Sequence, residues 1–414
     1  MTTSRRVQWC VRRWLQPVAV LWLATGLWFT ARAETDAPIG TPLQVLTEPY
    51  LLGSWTHLHQ VYPAAMIARG GPVRELPYAT DQNLNIDYRI DDQALDLEAY
   101  LERNHVTSLL VIQDGAIVFE RYRMGTDDKT LFTSWSMAKS ITSTLLGLLF
   151  DDGTIASLED KAKKYVPELA RSGYGDVSLR DLLQMTSGVK FIEDYADQNS
   201  REGRAWIDGV VERRLPYNET ILWFNERLHP PGTHFYYASI EPQVIGWIVK
   251  RASGKSLSTL FSERIWQALG AEHDANWLLD RPGGMEIASC CINATTRDYG
   301  RFGLMIMNRG DVAGEQLISE SWVDLATRAD PERPFLHPGA IPGDRGFGYQ
   351  HYWWLWPKDD AFAAQGYGGQ RLYVNPKTRT VIVQTAVWNQ TMRGKGHAET
   401  RVAFEAIVEA LVGE

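Results

Sequence analysis

The chain has 414 residues, of which 44% are hydrophobic and 22% are charged, a balance typical of globular proteins. This composition excludes the disordered, collagen-like and disulfide-scaffold classes. A chain of this length buries about 75% of its unfolded surface, so its core needs no metal or disulfide support. The 42 basic and 50 acidic residues give a formal net charge of −8. Because phosphate-backbone binding requires a clustered basic excess, we expect no nucleic-acid partner.

The first 33 residues are typical of a secretory signal peptide. Four arginines precede an uncharged, largely apolar run from Trp14 to Ala31, and Ala31-Arg32-Ala33 offers a small-residue cleavage site. An uncleaved anchor is the alternative, since the run approaches the ~18 residues of a spanning helix, and a twin-arginine export route stays open. Cleavage removes five Arg and no acid, leaving 37 basic against 50 acidic residues and a net charge of −13. We expect an exported, periplasmic or secreted product without a stable membrane anchor.

Two segments follow the predicted signal peptide. Residues 34–95 are rich in Pro, Gly and Asp and show little periodicity, which predicts an extended lead segment rather than a domain of its own. The domain proper is predicted to span residues 96–414. Near its start, the strand patterns 109–112 and 116–119 flank Asp114-Gly115, a dipeptide favoured in tight hairpin turns.

The middle of this domain is predominantly helical in pattern, and its end returns to strands. Residues 178–185, 242–252 and 257–269 are each predicted to form a helix, with a glycine near each end as a stop signal. A second predicted hairpin joins residues 371–374 to 380–385, and a closing helix follows from His397 to Val412. Strands from both ends of the chain with helices between them indicate one α+β domain.

Cysteine and histidine usage indicates no metal site. Only the adjacent pair Cys290-Cys291 remains after signal cleavage, and two buried thiols are expected because neighbouring cysteines can form only a strained bridge. The close pair His57 and His59 lacks the spacing and companion ligands of a zinc site. We therefore expect no metal and no cofactor.

A possible nucleophile lies at the start of the first strong helical pattern. Ser136 precedes Lys139 by three residues, and an apolar stripe follows. Residues at this spacing share a helix face, so the Lys139 amine can reach Ser136, and burial would lower its pKa enough for it to accept a proton. The helix start can also direct the Ser136 N–H at a developing oxyanion. Taken alone, the pattern is more typical of a capping serine followed by a solvated lysine.

Two downstream segments favour a catalytic role for Ser136 and Lys139 over the capping alternative. Tyr237 lies in a loop before a helix, where a nearby cation would favour its phenolate and let it relay protons; its structural alternative is a core aromatic. The run from Gly366 through Tyr367, Gly368 and Gly369 to Gln370 leads into a strand pattern. Paired glycines in a strand mark close approach of a ligand or of another backbone, and a strand N–H there could be a second oxyanion donor. A simple bulge is the alternative.

These three elements, in this order, resemble the serine hydrolases that share the fold of class C β-lactamases and DD-peptidases. Residues 109–139 most resemble 6-aminohexanoate-dimer hydrolases and related esterases. The resemblance covers about residues 96–414 and implies a β-lactamase/penicillin-binding-protein-like fold, with an antiparallel sheet flanked by helices and an all-helical subdomain. It implies Ser136 as nucleophile, Lys139 as base and Tyr237 as relay. It further implies substrate or oxyanion roles for the remaining candidates, which are Tyr195, Ser239, Tyr367, Gly368, Gly369 and Gln370.

Two departures from the resemblance bear on substrate choice. Ser239 stands where β-lactamases have Asn, and Tyr367 stands where they have Lys. The amide and the cation that hold a β-lactam are therefore both missing, and losing a charge-assisted contact removes about 1.5 to 3 kcal/mol of binding. Esters and linear amides need no such contact.

The sequence thus predicts a serine hydrolase that acts on a small-molecule ester or linear amide through an acyl-enzyme on Ser136, with N–H groups of Ser136 and Gln370 binding the oxyanion. A β-lactamase or DD-peptidase is the enzymatic alternative. A ligand-binding protein without turnover is the alternative of another class. No G-x-S-x-G elbow is present, which argues against an α/β-hydrolase. The oligomeric state stays open.

Overall fold

The computed structural model of the chain describes residues 36–193, 197–343 and 346–413, and the predicted signal peptide lies outside this part. Residues Glu34–Glu414 form a single unit. Within the described part, no helix combines the length and the apolar character needed to cross a bilayer.

A seven-stranded antiparallel sheet organises the domain, in the strand order β11-β12-β13-β14-β15-β4-β5. A four-stranded sheet has the order β1-β7-β8-β6, and the pairs β2-β3 and β9-β10 form two small ribbons. The strands are β1 (Ala64–Ile67), β2 (Asp87–Ile90), β3 (Gln93–Asp96), β4 (Val106–Gln113), β5 (Ala116–Tyr122), β6 (Phe132–Thr133), β7 (Ala275–Leu278), β8 (Ile292–Ala294), β9 (Asp311–Val312), β10 (Glu315–Gln316), β11 (Gly348–Gln350), β12 (Trp353–Leu355), β13 (Phe362–Gln365), β14 (Arg371–Asn375) and β15 (Thr380–Ala386).

Helices occupy the long connection between the two predicted hairpins, as expected, and α5 to α8 make up most of a helical region after α4. The helices are α1 (Leu51–Thr56), α2 (Leu58–Val61), α3 (Leu97–Arg103), α4 (Ala138–Asp151), α5 (Ala162–Tyr165), α6 (Leu179–Leu183), α7 (Arg201–Trp206), α8 (Tyr217–Thr220), α9 (Ile240–Ser253), α10 (Leu257–Phe261), α11 (Thr296–Met307), α12 (Glu320–Thr327) and α13 (Arg393–Val412). Short 3₁₀ turns include Trp135–Met137 and Tyr367–Gly369, and π-helical turns cover Ile207–Val211 and Ser262–Trp266.

Both predicted hairpins are confirmed, and their strands meet in the centre of the large sheet. β15 from the second hairpin pairs with β4 from the first, so the two ends of the domain are joined directly. Alternate residues of β4 enter different cores: Leu110 and Ile112 face α11, whereas Leu109 and Val111 share a core with residues of α3 and α13. Burial on both faces explains why these strands are almost continuously apolar.

Helix α11 packs closely on the sheet because two glycines face it. A Cβ atom at Gly300 would lie 3.0 Å from Ile112 and Leu110, and one at Gly303 would lie 2.7 Å from Leu372 and Val381. Because glycine has no Cβ, α11 can approach the sheet closely at Gly300 and Gly303, and a larger residue at either position would push the helix away.

Part of the lead segment packs beside the nucleophile turn. β1 pairs with β7, and the indole of Trp55 on α1 lies 5.3 Å from Trp135 and 5.9 Å from Tyr367, measured between ring centroids. Its N–H donates to Val45 O at 2.7 Å. A Cβ at Gly368 would lie only 2.1 Å from this indole. Trp55 thus fixes the lead segment against the turn after β13.

Cys290 and Cys291 form a vicinal disulfide, which corrects the expectation of two buried thiols. Cys291 adopts a φ of 76°, a left-handed conformation that few residues other than glycine occupy. Its N–H donates to Trp135 O, and its carbonyl accepts from Leu278 N. The surrounding hydrogen bonds hold the bridged pair in a geometry that sequence spacing does not reveal.

The fit between Trp55 and Gly368 can be tested with Gly368→Ala. We expect a loss of unfolding free energy of about 1 to 3 kcal/mol from overpacking, in addition to the cost of its φ of 72°. Gly283→Ala is the matched control, because Gly283 has a φ of 68° and open space at its Cβ position. Denaturant titration of both variants separates the two costs. Equal losses would contradict a role for the Trp55 contact.

Candidate active site

Ser136 lies in the 3₁₀ turn Trp135–Met137, immediately before α4. Ser134 holds this turn in place: its N–H donates to Ile292 O at 2.7 Å, and its Oγ accepts from Ile292 N at 3.0 Å. Trp135 has a φ of 43°, a conformation that costs free energy for a bulky residue and persists only where neighbours enforce it. Strand β8 therefore fixes the position of the candidate nucleophile.

Lys139 is buried on α4, with 2% of its surface exposed. Its Nζ lies 2.7 Å from Ser136 Oγ and donates to Ser289 O at 3.0 Å. Burial lowers the pKa of Lys139 to about 7, against a smaller opposing effect of the Glu193 carboxylate. The amine can therefore be neutral near physiological pH, with its lone pair available to Ser136.

Tyr237 completes the group around the Ser136 hydroxyl. The hydroxyls of Ser136 and Ser239 are close enough to its own to lower its pKa, and Lys139 Nζ lies 5.0 Å from the centre of its ring. Burial raises the pKa of Tyr237, and the Glu193 carboxylate raises it further. These effects exceed the predicted influence of Lys139 on the Tyr237 pKa. Tyr237 is therefore a neutral phenol, and the expectation of a phenolate is wrong. A phenol can still pass a proton to a leaving group.

Ser239 binds a carboxylate that the sequence analysis did not select. Its Oγ donates to Glu193 Oε1 at 2.6 Å, and its N–H donates to Glu193 Oε2 at 2.9 Å. Glu193 lies 46 residues away, in the loop where Tyr195 was proposed as a substrate contact; Tyr195 itself lies outside the described residues. No pattern in the sequence indicates this contact between Glu193 and Ser239.

The glycine-rich turn after β13 contributes Tyr367 to the site. Tyr367 lines both cavities that reach Ser136. Gly368 packs on Trp55, and a Cβ at Gly369 would lie 2.6 Å from Trp388. The side chain of Gln370 is buried, and its amide donates to Ala386 O at 2.7 Å. The paired glycines thus allow the close approach of two tryptophans.

Two cavities meet at Ser136. The larger, of about 500 Å³, is lined by Tyr237, Trp354 and His397 and by the edge of β13. In this cavity the imidazole of His397 is backed by the buried guanidinium of Arg371, which donates to His397 Nδ1 at 2.6 Å. The aromatic and polar lining suits a group that carries hydrogen-bond acceptors.

The smaller cavity, of about 240 Å³, lies on the other side of Ser136. Residues 42–46 of the lead segment, residues 206–211 and the Cys290–Cys291 disulfide form most of its apolar wall, while Glu193 and Lys139 line its inner part. Sequence reasoning missed the contributions of the lead segment and the disulfide, since no local pattern links them to Ser136.

A metal centre has no support among the described residues, because no three His, Cys, Asp or Glu side chains there are grouped to hold an ion.

Comparison with known proteins agrees with this arrangement. The Beta-lactamase family profile matches residues 97–406. The 6-aminohexanoate-dimer hydrolase of Paenarthrobacter ureafaciens is 27% identical over 377 residues, covering 86% of this chain and 93% of that protein. A Bacillus anthracis protein of solved structure, provisionally named a 6-aminohexanoate-dimer hydrolase, is 26% identical with a TM-score of 0.77, covering 89% of this chain and 96% of the other.

A more distant structure shows the fold alone: a family VIII carboxylesterase is 20% identical with a TM-score of 0.53, covering 72% of this chain and 92% of the other. The match over most of the domain agrees with the predicted α+β fold, an antiparallel sheet flanked by helices with a helical subdomain. Together with the buried lysine beside a serine, these comparisons show that the chain belongs to the Beta-lactamase family and is a serine hydrolase of that family.

Proposed function

We propose that this protein hydrolyses ester or linear amide bonds of small molecules through an acyl-enzyme on Ser136. The observation that carries the proposal is the 2.7 Å approach of the buried Lys139 amine to Ser136 Oγ, at the junction of two cavities. A hydroxyl paired with a buried, deprotonatable amine is an activated nucleophile. A binding protein without turnover would not need this pairing.

In the acylation step, neutral Lys139 takes the proton from Ser136 Oγ while that oxygen attacks the substrate carbonyl carbon. Backbone N–H groups stabilise the negative charge that develops on the carbonyl oxygen. The Ser136 N–H at the start of α4 is one donor. For the second we propose the N–H of Gln370, which follows the glycine-rich turn just before β14. The Tyr237 phenol then passes a proton to the leaving oxygen or nitrogen, and protonated Lys139 gives the Ser136 proton to Tyr237, so the neutral amine and the phenol are both restored before deacylation.

In the deacylation step, a water molecule attacks the acyl carbon of the ester on Ser136. Lys139 accepts the proton of this water, with Tyr237 as relay, and the Ser136 oxygen leaves with a proton to restore the hydroxyl. One base therefore serves both steps. Ser289 O keeps the amine in position throughout, since it accepts a hydrogen bond from Nζ independently of Ser136.

The charge of the site favours neutral or amine-bearing substrates over β-lactams. Glu193 lines both cavities and binds Ser239, whereas the lining of both includes just one described cation, Lys139. A substrate carboxylate placed close to Glu193 would be repelled by its charge. Linear amides are supported by the P. ureafaciens relative, which is named for a 6-aminohexanoate dimer. We infer that β-lactamase or DD-peptidase activity is at most a side reaction.

The nucleophile is tested by comparing wild type with Ser136→Ala on p-nitrophenyl butyrate, 6-aminohexanoate dimer and nitrocefin. We expect ester or amide turnover to fall by at least about 10³-fold in the variant, because no other hydroxyl replaces Ser136. Ser140→Ala is the matched control: it removes a buried hydroxyl of α4 that donates to Tyr352 O, away from both cavities. This variant should lose some stability and retain activity.

Each outcome of this comparison has a distinct meaning. Retained turnover in Ser136→Ala would overturn the assignment of the nucleophile. A wild type that hydrolyses none of the three compounds and resists fluorophosphonate labelling would favour the ligand-binding alternative. Rapid nitrocefin turnover would contradict the expected effect of Glu193, Ser239 and Tyr367 on anionic substrates.

The pH dependence of kcat/KM tests the role of Lys139. Its amine accepts a proton only when neutral, so kcat/KM should rise with pH and level off above a pKa of about 7. The Glu193 carboxylate favours the protonated amine, and Glu193→Gln should therefore move the rising limb to lower pH. Glu226→Gln, which alters an exposed pair with Lys190, is the control and should leave the limb in place. If Glu193→Gln left the rising limb of the pH profile in place, the proposed effect of Glu193 on the Lys139 pKa would be excluded.

We also propose that residues 1–33 direct export and are then removed. The basic head, apolar run and small-residue site support this. Protein purified from a periplasmic extract should begin at Glu34 by N-terminal sequencing, whereas Ala33→Leu should retain the leader because a large side chain occupies the cleavage site. Recovery of the wild type in the cytosol with an intact N-terminus would contradict export.

A further inference from the structure

The smaller cavity at Ser136 has the character of a site for an apolar chain. Leu43 and Leu46 from the lead segment, Ile207 and Val211 from the π-helical turn, and the Cys290–Cys291 disulfide form its wall. We call this group the apolar channel. Ser136 lies at its inner end, so a chain inside it would hold its first carbon next to the nucleophile.

The positions of the proton donors assign a direction to the substrate. Tyr237, which passes a proton to the leaving group, lines the larger cavity and is absent from the lining of the channel. The leaving group must therefore occupy the larger cavity. The acyl part of the substrate, on the other side of the reacting carbon, is directed into the apolar channel.

Exposed leucines at the channel supply an independent observation. Leu43 is 61% exposed and Leu46 is 41% exposed, both unusually high for large apolar side chains that flank a cavity. Ile39, three residues before Pro42, is 42% exposed. A bound chain would remove these surfaces from water, which is the main favourable contribution to binding apolar groups.

We propose that the apolar channel is the acyl-binding site and that it selects acyl groups with an apolar chain. This inference rests on the proposed hydrolase function. The cavity, of about 240 Å³, has space for an acyl chain beside Ser136. The substrate class is thus esters or amides of acids with an apolar chain.

The experiment measures kcat/KM for p-nitrophenyl esters from acetate to octanoate. In wild type we expect an increase of up to about fourfold for each added methylene that enters the channel. Leu46→Glu places a charge in the channel wall and should lower the octanoate-to-acetate ratio of kcat/KM by at least about tenfold. Leu325→Glu is the matched control, because Leu325 on α12 is 40% exposed and lines neither cavity. This control should leave the ratio unchanged.

A second variant tests the same site from the opposite wall. Val211→Phe reduces the channel volume and should move the preferred acyl length to shorter chains. A wild type that hydrolyses acetate but gains nothing from longer chains would overturn the acyl-channel proposal while leaving the hydrolase function intact. The same conclusion would follow if Leu46→Glu and Leu325→Glu changed the ratio equally. If the protein hydrolysed none of the esters and Ser136 were not labelled by a fluorophosphonate, the proposed hydrolase function itself would be contradicted.

Discussion

The burial of the Lys139 amine is the constraint on which the rest of the site depends. A lysine in water would be fully protonated at neutral pH and could not accept the Ser136 proton. Enclosure by α4 and the segment before β8 lowers its pKa to about 7, and Ser289 O accepts one of its hydrogens at 3.0 Å. The helical packing that covers α4 therefore has a chemical consequence, because any opening that admits water to Nζ would restore the protonated form.

The nucleophile is positioned by contacts that are distant in sequence. Trp135, in its left-handed conformation, packs against Trp55 of the lead segment and lies 5.7 Å from the ring of Tyr367. Cys291 N donates to Trp135 O, which joins the disulfide to the same turn. Three separate parts of the chain thus meet around Trp135, the residue before Ser136. The lead segment contributes to this arrangement as directly as the domain that carries the nucleophile.

The features predictable from sequence are those set by neighbouring residues. Asp114-Gly115 determines a hairpin locally, and the three-residue spacing of Ser136 and Lys139 determines their proximity on a helix. The disulfide and the pairing of Ser239 with Glu193 depend on how distant loops pack, so spacing alone does not reveal them. The interpretation of Gly368 and Gly369 was correct about close approach, but the partners were tryptophan rings, which no local pattern identifies.

Glu193 connects the reactivity of the site with its selectivity. Its negative charge opposes the fall in the Lys139 pKa that burial causes, and it also raises the pKa of the Tyr237 phenol. The same carboxylate faces both cavities, where it disfavours anionic groups near the reacting carbon. A cation in place of Tyr367 would hold an anionic substrate, but it would also lower the Lys139 pKa further and weaken the amine as a base. The pairing of an acidic residue with Tyr367 thus keeps the lysine basic enough for catalysis and leaves the site suited to neutral or amine-bearing substrates.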